Sequence, residues 1–333
     1  MDTKSKVSII TPAFNCAETI LDVIVSIQRQ GSVVGEHIIV NDGSTDQTRT
    51  VIEKAVQTAK IKIRLLNQNN AGEASAVNNA VAISEGEYLM IVNSDDPLLD
   101  SCVDTLVSSL ELNPAAAVAY ANWNMIDENG HLLRNMFAEP FSYCSLIGNW
   151  TCIVGPGALI RKSTFGGLPA RNEKYSHLSD FELWLRLATT NSFVKVDSTL
   201  STWRKSENNA THHGRGASIA RQNLQLLDDY FSNPSIPNEI KKIEKRARAH
   251  AYYSAALQMF FDSSVKGRRL IIKSYTSQML FLDRRCSSKR SLIASISVLL
   301  HPIPLLIASA LQRMGVGFPD FVQDAVKARR NAS

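Results

Sequence analysis

The chain has 333 residues, of which 44% are hydrophobic and 20% charged, with a formal net charge of +5. That composition is too apolar for a disordered protein and too interrupted by charge for a polytopic membrane protein, and the length suits one large α/β domain with an appendage, or two domains. Cys16, Cys102, Cys144, Cys152 and Cys286 are scattered, with no CxxC pair and no Cys/His cluster, which argues against a disulfide framework or a structural zinc and for a reducing compartment.

The N-terminal apolar run, Val7 to Phe14, is short and broken by Pro12, so it does not read as an export signal. Val7 to Thr11 is instead a predicted strand, and Ile20, Val23, Ile24 and Ile27 then recur at helical spacing. His37 to Asn41 is a second strand. It runs into Asp42-Gly-Ser-Thr-Asp46, where Ser44 and Gln47 have capping-box spacing before a helix lined by Thr48, Val51, Ile52 and Ala55. Ile61 to Leu66 reads as a third strand, Glu73 to Ser84 as a helix and Glu87 to Val92 as a fourth strand. Val103, Leu106, Val107 and Leu110 mark another helix, and Ala117 to Tyr120 a fifth strand. This alternation is the rhythm of a parallel α/β sheet.

Residues 121–178 show little periodicity. A helix resumes around Phe181, Leu183, Trp184 and Leu187, and from about Ala217 onward nearly everything reads helical. The Pro234–Pro237 segment is the expected boundary between a domain over 1–233 and a helical region over 234–333. Charge changes along the chain as well: residues 1–240 carry 19 Lys+Arg against 26 Asp+Glu, and residues 241–333 carry 17 against 5. Residues 292–311 contain no formally charged residue but are broken by Pro302 and Pro304. They suit a kinked helical pair in a membrane interface, with Arg268, Arg269, Arg284, Arg285, Lys289 and Arg290 upstream, or a buried hairpin of a soluble domain.

In an open parallel sheet, ligands collect at the carboxyl ends of the strands, beside helix N-termini. The polar signals fall there: Thr11-Pro-Ala-Phe-Asn15 after the first strand, Asp42 beside Gly43 after the second, and Asn93-Ser-Asp-Asp96 after the fourth. Two adjacent carboxylates repel unless they share a cation, and a hard divalent ion takes oxygen ligands while bridging phosphates. Asp95 and Asp96 therefore point to Mg²⁺ or Mn²⁺ and a diphosphate. Taken singly, each of these acids also suits an ordinary turn or cap.

Together, Val7-Ser-Ile-Ile-Thr-Pro-Ala-Phe-Asn15, Asn41-Asp-Gly-Ser-Thr-Asp46, Asn70-Ala-Gly72 with Asn78, Gly86 through Asp96, and Ser179-Asp-Phe-Glu-Leu-Trp-Leu-Arg186 resemble the ordered motifs of the family 2 inverting glycosyltransferases, of the kind that builds bacterial surface polysaccharides. The likeness covers roughly residues 5–205. It implies a GT-A fold, a Rossmann-like mostly parallel sheet flanked by helices, with a helical C-terminal appendage. It also implies a nucleotide-sugar donor, foremost a UDP-sugar, a divalent metal, and a glycan or lipid-linked oligosaccharide acceptor. Pro12, Ala13 and Phe14 resemble the loop against the nucleobase and Asp42 the acid that meets it. Asp95 and Asp96 resemble the ribose and metal carboxylates, and Asp180 the catalytic base.

Four positions depart from that pattern: Asn93 stands where an acid is common, Val77 where many relatives have arginine, and Ser179 where glutamate is common. Arg204-Lys-Ser206 replaces an Arg-x-His, with Lys205 or His212-His213 as possible substitutes. Trp150 to Arg161 are expected on the acceptor side, and Trp150, Trp184 and Trp203 offer rings for a sugar, Trp184 also reading as core. A lipid-linked acceptor favours an anionic membrane surface, not nucleic acid, as the partner of the basic tail, and a peripheral position on the cytoplasmic face. The competing readings are a catalytically impaired nucleotide-sugar or glycan-binding scaffold on the same fold, a sugar nucleotidyltransferase and a dehydrogenase. The last two need a glycine-rich loop after the first strand, and Thr11 to Asn15 contain no glycine.

Overall fold

The computed structural model describes residues 6–205, 215–262, 264, 266 and 268–282. The chain divides into two compact units, one within Met1–Ile147 and Thr151–Asn209, the other within Gly148–Trp150 and Ala210–Ser333.

The first unit is built on β1 (Val7–Ala13), α1 (Ile20–Gln28), β2 (Val34–Asp42), α2 (Thr48–Val56), β3 (Ile63–Gln68), α3 (Glu73–Ile83), β4 (Tyr88–Ile91), α4 (Cys102–Leu112), β5 (Ala116–Ile126) and β6 (Leu132–Met136). The chain then continues through α5 (Tyr143–Asn149), which straddles the division, to β7 (Leu159–Arg161), α6 (Ser179–Ala188) and β8 (Ser192–Arg204). The sheet order is β3-β2-β1-β4-β7-β5-β6, with β8 paired to β5. β1 runs parallel to both β2 and β4, β2 parallel to β3, and β5 parallel to β8, while β7 runs antiparallel to β4 and β5. The expected open, mostly parallel α/β sheet is thus present.

Burial follows the residue periods. Every residue of β1 is buried, as expected of a strand covered on both faces. Val7 and Ile9 share a core with Val23 and Ile27 of α1, Met90 of β4 and Leu106 of α4, while Ala13, Ile20, Ile24, Ile39, Ile52 and Ile63 form a second cluster beneath α1 and α2. α3 packs on β1 and β2 with the small residues Ala76, Val77 and Ala80 fully buried. Val77 is therefore a core residue.

Besides β6, α5 and β7, which fall in the stretch of little periodicity, two elements of this unit depart from the sequence reading. β5 continues past Tyr120 to Ile126, and β8 is a 13-residue strand rich in Ser and Thr, with exposed and buried positions mixed along it. The spacing of Ser44 and Gln47 does not make a capping box either. Ser44 Oγ accepts the Asn15 N–H at 3.0 Å, and Asp46 Oδ1 instead accepts the Thr48 N–H at 3.0 Å.

Within the sheet, His37 of β2 is wholly buried, with Nε2 at 2.9 Å from Thr11 Oγ1 and Nδ1 without a hydrogen-bond partner among the described residues. Burial holds its pKa down at about 3, from an ordinary 6.5. The unfolded chain takes up a proton below 6.5 that the folded chain refuses until about 3, so stability is lost as pH falls through that window. His37→Leu is expected to flatten this acid loss, which is of the order of several kcal/mol. Denaturant unfolding at pH 7 and pH 4.5 checks it, and an equal pH dependence in both proteins refutes the account.

The second unit is helical: α7 (Gly216–Ser232), α8 (Asn238–Lys242), α9 (Glu244–Phe261) and α10 (Arg268–Leu282). Ala220, Ala255, Ala256, Met259 and Ile272 form its core. A Cβ on Gly216 would stand 2.3 Å from the Gln258 carbonyl, so only glycine lets α7 approach α9 this closely. The Pro234–Pro237 segment connects α7 to α8 within this unit. Among the described residues no helix is long and apolar enough to cross a membrane. The apolar stretch 292–311, with Arg284, Arg285, Lys289 and Arg290, lies outside them, as do His212 and His213.

Candidate active site

Because β1, β2 and β4 are parallel neighbours, their carboxyl ends open on one edge of the sheet. The loops after β1 and β2 are bound to each other. The Thr45 N–H donates to Asn15 Oδ1 at 2.8 Å, the Ala17 N–H to Asp46 Oδ2 at 3.1 Å, and the Cys16 N–H to Thr48 Oγ1 at 2.8 Å. Of the three residues expected against a nucleobase, Pro12 and Ala13 are buried in β1, and Phe14, 48% exposed, presents its ring at the strand end.

Asp42, the last residue of β2, is buried and its carboxylate is heavily used. Oδ1 accepts from Gln68 Nε2 and the Ala71 N–H, both at 2.8 Å, and Oδ2 accepts the Gly72 N–H at 2.9 Å. These bonds set the start of α3 at Glu73. A carboxylate has about four acceptor positions, so roughly one remains for a ligand donor. Gly43 has φ +70°, and a Cβ there would stand 2.7 Å from the Asn70 N, which explains glycine beside this acid.

The carboxylate pair after β4 divides into two roles. Asp96 is 2% exposed: Oδ1 accepts the Arg204 backbone N–H at 2.7 Å and Oδ2 accepts from Asn93 Nδ2 at 3.0 Å. Burial, with the charge of Asp95 added, pushes its pKa up to about 7. Asp95 is only half-buried, and burial raises its pKa too, against the opposing pull of its backbone hydrogen bond and of Arg204. The guanidinium of Arg204, 3% exposed, donates from Nε to the Asp95 carbonyl at 2.9 Å, from Nη1 to the Glu128 carbonyl at 2.7 Å and from Nη2 to Asp22 Oδ2 at 2.9 Å. Arg204 thus clamps the Asn93–Asp96 turn from the end of β8. The same turn is held from the residue that precedes α1, where Thr19 Oγ1 donates to the Ser94 carbonyl at 2.9 Å.

Asp180 stands in the first turn of α6, exposed, with Oδ1 accepting the Phe181 N–H at 2.7 Å. A helix N-terminus favours a carboxylate there. Two residues that the sequence reading did not select share its surroundings. Glu73 and Cys152 both keep accessible surface, yet the surrounding protein desolvates them. Desolvation raises the Glu73 pKa; Arg171 opposes that, and Asp180 and Asp95 add to it. The Cys152 thiol is pushed up to about 12 by desolvation and then by Asp180. The charges of Arg171, Asp180 and Asp95 thus act together on Glu73, and those of Asp180 and Arg171 on Cys152. Arg171 is held by Asn78, whose Oδ1 accepts its N–H at 2.8 Å and whose Nδ2 donates to its carbonyl at 2.9 Å. Asn78 belonged to the sequence motifs, but its partner lies 93 residues away.

Among the described residues no group of three His, Cys, Asp or Glu is arranged to hold a metal by itself. The residues nonetheless fit a hard divalent cation of the kind that uses one or two carboxylates and completes its shell with substrate phosphates and water. Asp95 is the half-exposed member of the pair, in a place with more acids than bases. Trp150 lies buried in the second unit, donating from Nε1 to Asn223 Oδ1 and meeting Tyr230 edge-on, so it offers no ring to a sugar; Trp184 is a core residue of α6. Lys205 is exposed.

Residues 8–167 match the family described as Glycosyl transferase family 2. Among curated relatives, the chondroitin synthase of Escherichia coli is 27% identical over 220 residues, 66% of this chain and 31% of the relative. The UDP-Glc:alpha-D-GlcNAc-diphosphoundecaprenol beta-1,3-glucosyltransferase WfgD of Escherichia coli is 26% identical over 231 residues, 68% of this chain and 87% of the relative. The chain spans less than a third of the length of the first such relatives, 31%, 22% and 22%. A solved structure of the mannosyltransferase PcManGT from Pyrobaculum calidifontis, in complex with GDP-Man and Mn²⁺, superposes with a TM-score of 0.57 at 14% identity, covering 86% of this chain and 88% of that one. The fold is the GT-A arrangement expected from the motifs, and with the motif loops gathered on one sheet edge and the family match running through them, the chain carries a glycosyltransferase family 2 domain.

Proposed function

We propose that the chain transfers a sugar from a nucleotide-sugar, foremost a UDP-sugar, to a hydroxyl of a glycan or lipid-linked acceptor, with inversion at the anomeric carbon, in polysaccharide synthesis. The observation that carries this reading is the placing of the motif loops side by side at the carboxyl ends of parallel β1, β2 and β4, with the charges of Arg171, Asp180 and Asp95 all acting on Glu73. Phe14 is proposed to cover the nucleobase and Asp42 to accept its ring N–H with the acceptor position left to it. Asp95 would hold a divalent cation together with the donor diphosphate, and Asp96 fixes the turn that presents Asp95. When bound, the cation supplies positive charge to the leaving diphosphate.

In the transfer, Asp180 accepts the proton of the acceptor hydroxyl while that oxygen bonds the anomeric carbon. The bond from carbon to diphosphate oxygen breaks on the opposite side, and its electron pair leaves with the nucleoside diphosphate. The UDP-Glc and undecaprenol diphosphate in the name of WfgD, and the Mn²⁺ and GDP-Man of the mannosyltransferase structure, support the donor class, the metal and a lipid-linked acceptor. Such an acceptor, with the basic C-terminal composition, supports work at the cytoplasmic membrane face.

Calorimetric titration of UDP-glucose and GDP-mannose with and without Mn²⁺ tests the reading. Metal-dependent binding of at least one is expected, followed by slow metal-dependent hydrolysis of that donor. Absence of binding to either overturns the donor assignment, and binding without hydrolysis or transfer favours the scaffold.

A further inference from the structure

Arg171 lies between β7 and α6 and is 5% exposed. Asn78 fixes its backbone through the two hydrogen bonds described above, so the position of its Cα is set independently of its side chain. Its Nε and Nη1 have no hydrogen-bond partner among the described residues. Arginine does not deprotonate in proteins, so it cannot shed its charge when buried, and unmet donors on a buried charge are strongly unfavourable. The acids around it do not relieve this. Glu73 feels its charge, but no carboxylate oxygen meets those two nitrogens.

A buried, pre-positioned guanidinium with two unpartnered nitrogens is matched by an oxyanion, whose oxygens it binds through charge-assisted N–H···O bonds. Its location identifies which one. Arg171 acts on Glu73 together with Asp95 and Asp180, and on Cys152 together with Asp180, so it shares its surroundings with Asp95, assigned to the donor diphosphate, and Asp180, assigned to the transfer. We propose that Arg171 binds an oxyanion of the nucleotide-sugar donor, either its diphosphate or an acidic substituent on its sugar. The assignment rests on the donor reading above.

The test compares wild type, Arg171→Met and Arg171→Lys. Each is titrated with UDP, UDP-glucose and UDP-glucuronic acid in Mn²⁺, and its ligand-free thermal unfolding is recorded. Arg171→Met is expected to unfold at the same temperature as wild type or higher, since it removes an unpaired buried charge. It is expected to lose about ten- to a hundredfold in affinity, with Arg171→Lys between the two. A loss shared by all three ligands assigns the diphosphate, and a loss confined to UDP-glucuronic acid assigns a sugar carboxylate.

Unchanged affinity of Arg171→Met for all three ligands overturns the proposal. So does a lowered unfolding temperature in both variants with affinity falling only in step with it, because that is the behaviour of a structural residue. Failure of wild type to bind any of the three removes the donor reading itself, a result distinct from the failure of Arg171 alone.

Discussion

Asp180→Asn is expected to lower the rate of sugar transfer by about 10² to 10⁴, the usual worth of a positioned general base, and to leave donor affinity unchanged. The amide keeps the volume and can still accept the Phe181 N–H that Oδ1 accepts now at 2.7 Å, so the first turn of α6 is preserved. What it loses is the capacity to take a proton. The other acid of that turn cannot replace it: Glu182 is engaged by Arg186, with Nε at 3.0 Å and Nη2 at 3.4 Å, on a largely buried side chain. Single-turnover transfer at saturating donor measures the effect separately from binding. A rate within a few-fold of wild type would move the base away from Asp180.

The strand ends were legible in the sequence because they combine two strong local signals, a buried apolar run and a polar loop with glycine or proline. β1, β2 and β4 appear within a few residues of their expected limits, and α1, α3 and α4 follow their apolar spacing closely. β8 was not legible. Its Ser- and Thr-rich sequence is half exposed, and what makes it a strand is its long parallel pairing with β5, a non-local property. The site divides in the same way. Adjacent acids at 95 and 96 announce a carboxylate pair, but which one turns inward is decided by the Arg204 N–H, 108 residues on. Likewise Arg171 acquires a role only because Asn78 of α3 holds it, and Glu73 only because Asp42 fixes the turn just before it.

That division between Asp95 and Asp96 yields the second large effect. Asp95→Ala is expected to remove the metal-dependent part of donor binding, by more than the roughly 10- to 100-fold that a residue merely supporting a metal ligand costs. It should leave the thermal unfolding of the ligand-free protein at or above wild type, because a like charge beside a desolvated carboxylate has been removed. Asp96→Ala should do the reverse at first sight: it leaves the Arg204 N–H buried without its acceptor, a loss of about 1–3 kcal/mol in stability. Donor binding then weakens as a consequence of a displaced turn. The pH dependence separates the two further. The folded pKa of Asp96 lies near 7, above its ordinary 3.8, so the folded chain holds a proton the unfolded chain has released, and stability falls as pH rises between those values. His37 acts in the opposite sense below 6.5, so the measurement belongs in the His37→Leu background. There, Asp95→Ala should reduce the loss of stability between pH 5 and pH 7.5, and Asp96→Ala should abolish it. Calorimetric binding of the donor with Mn²⁺, set against unfolding at both pH values, reads all of these outcomes. Full metal-dependent binding by Asp95→Ala would show that the cation is held elsewhere.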